Sequence, residues 1–180
     1  MSALAGLPTV VRIAAALGSS TSGSAWCSGA IMGVTFLGVS ALLEPSLPAT
    51  TAAHAPIFWH QICLRGTIMP VIAVCTALTS FYAAYSIPNP ATFQVIGATR
   101  NLLAVAGLLT VSIVPYTLII MKPTYDALYA RARVIEDRNK KGMEILDDGT
   151  NELIGKWNAL NLRRGVLPLL ATGLAIYAIF

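Results

Sequence analysis

Charge is what this chain has least of. Only 11% of its 180 residues are Asp, Glu, Lys or Arg, against about 25% in a soluble domain. Hydrophobic residues make up 56%, and the mean hydropathy is +0.69. This balance excludes an ordinary water-soluble domain and defines an integral membrane protein. The three cysteines, Cys27, Cys63 and Cys75, form no CxxC pair. That removes the thiol-exchange chemistry of a membrane disulfide reductase and leaves them as small core residues. There is no phosphate-cradling glycine loop, no HExxH and no nucleotide fingerprint. The net charge of +4 comes largely from arginines at span edges or inside apolar stretches, so no nucleic-acid partner is expected. Histidine is nearly absent too. His54, His60 and Glu44 are the only plausible ligands near one side of the membrane for a haem or metal alternative, and they lack paired-histidine spacing.

Four apolar blocks are present, residues 10–43, 57–86, 97–121 and 157–180. Each exceeds the roughly 20 residues that cross a hydrocarbon core. The expected fold is all-α, a four-helix transmembrane bundle forming one domain over residues 1–180. Arg12 precedes a long apolar stretch without a short core and cleavage site, so a cleaved signal is not expected. The first block is too long for one straight span. Its small-residue run from Gly18 to Ser24 either breaks it or permits close helix contact.

The segments between blocks differ in charge. Residues 44–56 and 87–96 hold no Lys or Arg, whereas residues 122–156 hold seven, with seven acidic residues. The positive-inside bias makes that third segment cytosolic and places both termini in the lumen. Within it Leu128, Ala132 and Ile135 recur at helical spacing beside Arg131, Arg133 and Arg138. This predicts an extramembrane amphipathic helix over residues 123–145, either lying on the bilayer surface or connecting spans three and four as a solvated helix.

Against this apolar background stand Arg65, Arg100 and Arg164. A charge inside hydrocarbon costs at least about 2.5 kcal/mol, so a retained intramembrane arginine marks a site. Spans two and four both enter from the charged-segment side. Arg65 and Arg164 therefore lie at a common depth of roughly 10–12 Å, at 1.5 Å per residue, with Tyr116 and Thr117 near that level. Arg100 and Asn101 lie towards the opposite face, where Arg100 snorkels to the interface. On span four, Trp157, Asn161, Arg164 and Pro168 share one helical stripe that is poorly suited to lipid. On span two, Arg65 shares a face with Gln61 and Phe58, and His60 lies about 140° away. No Asp or Glu lies within the spans beside these arginines, and Glu44 is the nearest candidate counter-ion. The pattern predicts a polar cavity for an oxygen-rich or transiently anionic ligand. Alternatively, the arginines bind helix-end carbonyls or lipid headgroups.

The run from Val114 to Thr124, VPYTLIIMKPT, followed by a charged segment and then KWNALNLRRGVLP from Lys156 to Pro168, resembles the fungal anthrone oxygenase family of four-helix membrane proteins. Trp59, Gly66 and Pro70, and the Ser28-Gly29-Ala30 step, are similar to that pattern as well. The resemblance covers nearly the whole chain in span order, with departures at Tyr125, where Asn is frequent, and at Asn161, where His is common. It implies oxidation of an anthrone, a tricyclic aromatic polyketide intermediate, to an anthraquinone by O2 as co-substrate. Neither flavin nor metal is clearly required. Such chemistry needs a base, a greasy slot and donors around a developing oxyanion. Arg65, Asn161 and Arg164 are the expected donors and His60 the expected base. Trp59, Tyr116, Thr117 and Trp157 are the expected substrate-binding residues. The resemblance further implies membranes of the endoplasmic reticulum or derived vesicles. A non-catalytic membrane protein that binds an anionic ligand or lipid, such as a small transporter or assembly subunit, is the reading from a different class.

Overall fold

A computed structural model describes residues 9–44, 46, 54–87, 94–143 and 149–179. Among them the chain is helical throughout, with no strand. Four long helical stretches account for the architecture. The first is α1 (Thr9–Gly33), continued by a π-helical turn (Val34–Val39) and a last turn at Ser40–Leu42. The second is α2 (Ala55–Arg65) joined through a 3-10 turn at Gly66–Ile68 to α3 (Met69–Ser86). The third runs from α4 (Gln94–Val111) through Ile113–Pro115 and a second π-helical turn (Tyr116–Met121) into α5 (Lys122–Lys140), and α6 (Thr150–Tyr177) is the fourth. Three stretches are long and apolar enough to cross a membrane: Ile13–Leu42, Ala55–Ser86 and Ala98–Lys140. The fourth does not meet that compositional standard by itself, because Glu152, Lys156, Arg163 and Arg164 sit in its first half.

The described residues form two compact units, and every stretch contributes to both. One comprises Met1–Ser28, Met69–Val114 and Gly165–Phe180, the other Gly29–Ile68 and Pro115–Arg164. The interior of the first is built from small side chains. Ala16, Ala83, Ala84, Leu103, Ala106, Ala171 and Ala175 form its apolar core. Hydroxyls join its helices: Ser20 pairs with Ser80, Ser24 with Thr110 at 2.9 Å, and Ser28 donates to the Gly165 carbonyl at 3.0 Å. The small-residue run of the first block therefore leaves α1 continuous and brings neighbouring helices close. Gly23 lies against Thr76, and Gly107 lies against the ring of Phe81. Close backbone approach is how helices associate where apolar burial offers little preference over lipid.

The second unit is built differently. Its core collects Val39, Ala55, Trp59, Cys63, Met121, Leu128, Ile154 and Trp157. The amphipathic helix expected over residues 123–145 is α5, ending at Lys140, and residues 144–148 lie outside the described set. Its apolar stripe, Thr124, Leu128, Ala132 and Ile135, is buried, and α5 packs on α2. The bilayer-surface placement is corrected accordingly, because the protein itself covers the apolar face. The opposite face carries exposed ion pairs at i,i+4 spacing, Lys122–Asp126 at 2.7 Å and Glu136–Lys140 at 2.9 Å.

A side chain at Gly23 or Gly107 has no room. A Cβ on Gly107 would stand 2.8 Å from Phe81 Cε1, and one on Gly23 would overlap the Thr76 side chain. Gly107→Leu and Gly23→Leu are each expected to destabilise the protein by about 1–3 kcal/mol, the usual cost of overpacking. Thermal unfolding in detergent reads this directly, with Gly18→Leu, where a Cβ meets nothing within 4 Å, as the tolerant control.

Candidate functional site

The second unit holds a polar network around Asn161, which is 1% exposed. Its Nδ2 donates to the Ile31 carbonyl at 3.2 Å and to Thr35 Oγ1 at 2.9 Å. Its Oδ1 accepts from Arg164 Nη2 at 2.7 Å. An amide nitrogen has two hydrogens, so these bonds use both and fix which way the side chain faces. Arg164 Nη1 donates to Thr117 Oγ1 at 2.9 Å. The guanidinium is thereby held by two neutral oxygens, one from its own helix and one from the third stretch.

Both threonines of this network belong to π-helical turns. Thr35 is the second residue of Val34–Val39, and Thr117 is the second residue of Tyr116–Met121. The Ser40 N–H and hydroxyl both reach back five residues to the Thr35 carbonyl. Such wide turns are rare and recur at functional sites, where they re-aim side chains that a regular helix would carry elsewhere. Here they deliver two hydroxyls to the polar stripe of α6.

An aromatic group lies in the same unit. The rings of Trp59 and Trp157 meet edge to face, centroids 5.7 Å apart and planes at 88°, and Tyr125 meets Trp59 at 5.0 Å. Tyr116 packs partly buried against this cluster. The structure thus brings together Trp59, Trp157 and Tyr116 in one cluster, and Asn161, Arg164 and Thr117 in one network. It does not bring Arg65 to them. Arg65 ends α2 with its side chain exposed, so the expected pocket shared by Arg65, Asn161 and Arg164 does not form. The cause is helical phase: Trp59 and Cys63 are buried, and Arg65, two residues beyond Cys63, lies about 200° round from it.

His60 turns towards α5. Its ring meets Tyr129 at 4.8 Å, and Arg133 stacks over the same tyrosine with its Cζ 4.4 Å from the centroid. Glu44 is exposed and accepts from Ser46 at 3.5 Å, so it does not serve as counter-ion to the network. Arg100 and Asn101 belong to the first unit. Among the described residues no group of three or more His, Cys, Asp or Glu gathers to hold a metal ion. Sequence reasoning missed Thr35, Tyr125 and Tyr129. Tyr125 had one signal, its departure from the family pattern, while Thr35 had none.

This geometry accompanies a clear similarity to known proteins. The anthrone oxygenase family matches residues 59–174. The chain is 31% identical over 145 residues to "Monooxygenase hypC" of Dothistroma septosporum, covering 79% of this chain and 70% of that protein. It is 32% identical over 143 residues to "Noranthrone monooxygenase" of Aspergillus flavus, covering 79% and 62%, and 28% identical over 187 residues to "Anthrone oxygenase encC" of Aspergillus fumigatus, covering 99% and 95%. No solved structure matches. The chain belongs to the anthrone oxygenase family and is an oxygenase enzyme. Membership sets aside the non-catalytic reading.

Replacing Asn161 by Leu removes a donor from Thr35 and from the Ile31 carbonyl, and an acceptor from Arg164. Leaving a buried group unsatisfied costs about 1–3 kcal/mol, so Asn161→Leu is expected to lower the melting temperature of the detergent-solubilised protein. Thr117→Val is expected to spare the fold and lower turnover, because it releases only one prong of Arg164. A Thr117→Val enzyme of unchanged turnover would show that this anchor is dispensable.

Proposed function

We propose that this chain converts an anthrone to the corresponding anthraquinone with O2, at a membrane-embedded site built around Arg164. The single observation that carries this reading is the fixing of the Arg164 guanidinium by Asn161 Oδ1 and Thr117 Oγ1 in a chain of the anthrone oxygenase family. A base removes a proton from the central methylene of the anthrone, giving an aromatic enolate. The enolate passes an electron to O2, and the radical pair combines at that carbon as a hydroperoxide. Loss of the remaining C–H proton with cleavage of the O–O bond releases water and leaves the new carbonyl. One oxygen atom enters the product and the other leaves as water. The substrate supplies the electrons, so the reading requires neither flavin nor metal.

Arg164 acts on the developing enolate oxygen. A donor already oriented in a water-poor site reorganises little as charge develops, which is why such groups contribute heavily to rate. Asn161 has committed its donors to the protein, so it orients Arg164. His60 is the proposed acceptor of the methylene proton, and its Nδ1 is buried without a hydrogen-bond partner. Trp59, Trp157 and Tyr116 wall the aromatic slot. The enzyme belongs in the endoplasmic reticulum or derived vesicles, with α5 in the cytosol.

Arg164→Leu is expected to lower anthrone turnover on the order of 10²–10³-fold, as for loss of one oxyanion donor. Arg164→Lys should be a poor substitute, since a point charge does not reproduce the planar fork. Exposed Arg65, changed to Leu, should leave turnover near wild type. His60→Ala should lose rate most near neutral pH and recover in part at high pH or with added imidazole, and an unchanged pH profile would remove His60 as the base. Oxygen uptake with 18O2, read as label in the quinone, tests the reaction itself. Metal and chromophore analysis of the active protein is expected to find a colourless, metal-free sample.

A further inference from the structure

The two units differ in how completely their buried polar groups are satisfied. In the first, Ser20, Ser24, Ser28, Ser80, Thr110 and Thr172 are all hydrogen-bonded. In the second, two indole N–H groups, Trp59 Nε1 and Trp157 Nε1, are buried with no partner. Trp59 is 0% exposed and Trp157 4%, so bulk water does not reach them. Buried Trp N–H groups ordinarily find an acceptor, and leaving a buried donor unmade costs about 1–3 kcal/mol. Here two such donors stand on rings in direct contact. A neighbouring ring face is a second-order acceptor, so an oxygen that reaches either N–H displaces it.

We propose that Trp59 and Trp157 bind the ligand through their indole N–H groups, as a pair of neutral donors to the two lone pairs of one carbonyl oxygen on a planar aromatic ketone or quinone. The identity of the ligand rests on the anthrone reading, and the donor role rests on the two orphaned N–H groups. Stacking on indole faces recognises any flat aromatic. Donation selects those that carry oxygen, and neutral donors do so without stabilising a ground-state anion. The two indoles hold the ring system and Arg164 receives the charge that develops on it. Tyr116, Tyr125 and Leu160, partly buried against the cluster, are the side chains that must yield for the ligand to enter.

The test compares binding of 9,10-anthraquinone and anthracene to the purified full-length protein in detergent. The two have nearly the same shape, and only the quinone carries acceptors. Net gains of about 0.5–1.5 kcal/mol per neutral hydrogen bond predict that wild type binds the quinone roughly tenfold more tightly or better. Trp59→Phe and Trp157→Phe should each cut that preference several-fold, while any loss of wall area weakens both ligands alike and cancels in the ratio. Equal binding of the two ligands by wild type overturns the proposal without any variant, and so does binding of neither. A preference unchanged in both variants overturns it as well. Anthrone turnover by the same wild-type sample reports the activity separately: a quinone preference without turnover would sustain the donor pair and remove the proposed reaction.

Discussion

Asn161 is the residue on which the organisation of the second unit depends. Its amide is engaged at the Ile31 carbonyl, at Thr35 and at Arg164, and thus touches α1, the first π-helical turn and its own helix. A cationic side chain inside a membrane protein needs a fixed environment that tolerates its charge. Here the neutral oxygens of an amide and a hydroxyl fix it. Those two oxygens carry no full charge, so what they contribute is orientation of the guanidinium.

The helices were legible in the sequence because their cause is local. Four apolar blocks bounded by polar or proline-containing segments leave few options to a backbone that must satisfy itself in hydrocarbon. The stripe of Trp157, Asn161 and Arg164 was legible too, since it lies in α6 ahead of Pro168, the proline inside that helix, and a period of 3.6 applies along it. On the second stretch His60 meets Tyr129 of α5 while Arg65 is exposed, and the expected grouping of Arg65 with Arg164 rested on depth alone. Depth and direction are independent, and exposure of Arg65 follows from the burial of Trp59 and Cys63 on the other side of α2.

Thr35 shows why the rest was hidden. Its hydroxyl reaches Asn161 from a π-helical turn, in which the hydrogen bonds close over five residues. A periodicity argument that assumes 3.6 residues per turn accumulates an angular error across such a segment, and nothing in the string VTFLGV announces the change. The same holds for the cover over the aromatic cluster. The apolar spacing of α5 left open a bilayer-surface helix and a solvated connector, and packing of its stripe on α2 was foreseen by neither.

The first unit turns the familiar size gradient of a folded protein inside out. Alanines and hydroxyl residues occupy its interior, while Val71, Leu78, Tyr85, Leu108 and Leu170 point outward. For the outward positions the surroundings are fluid, and a lipid chain accommodates a leucine, a valine or a phenylalanine with little difference. Most of the inward positions, Leu103 apart, are sized to a methyl group or a hydroxyl. Mutational drift in such a molecule is therefore asymmetric: its bulky residues are interchangeable and its smallest ones are constrained. Hydropathy alone reports the first set and is nearly blind to the second.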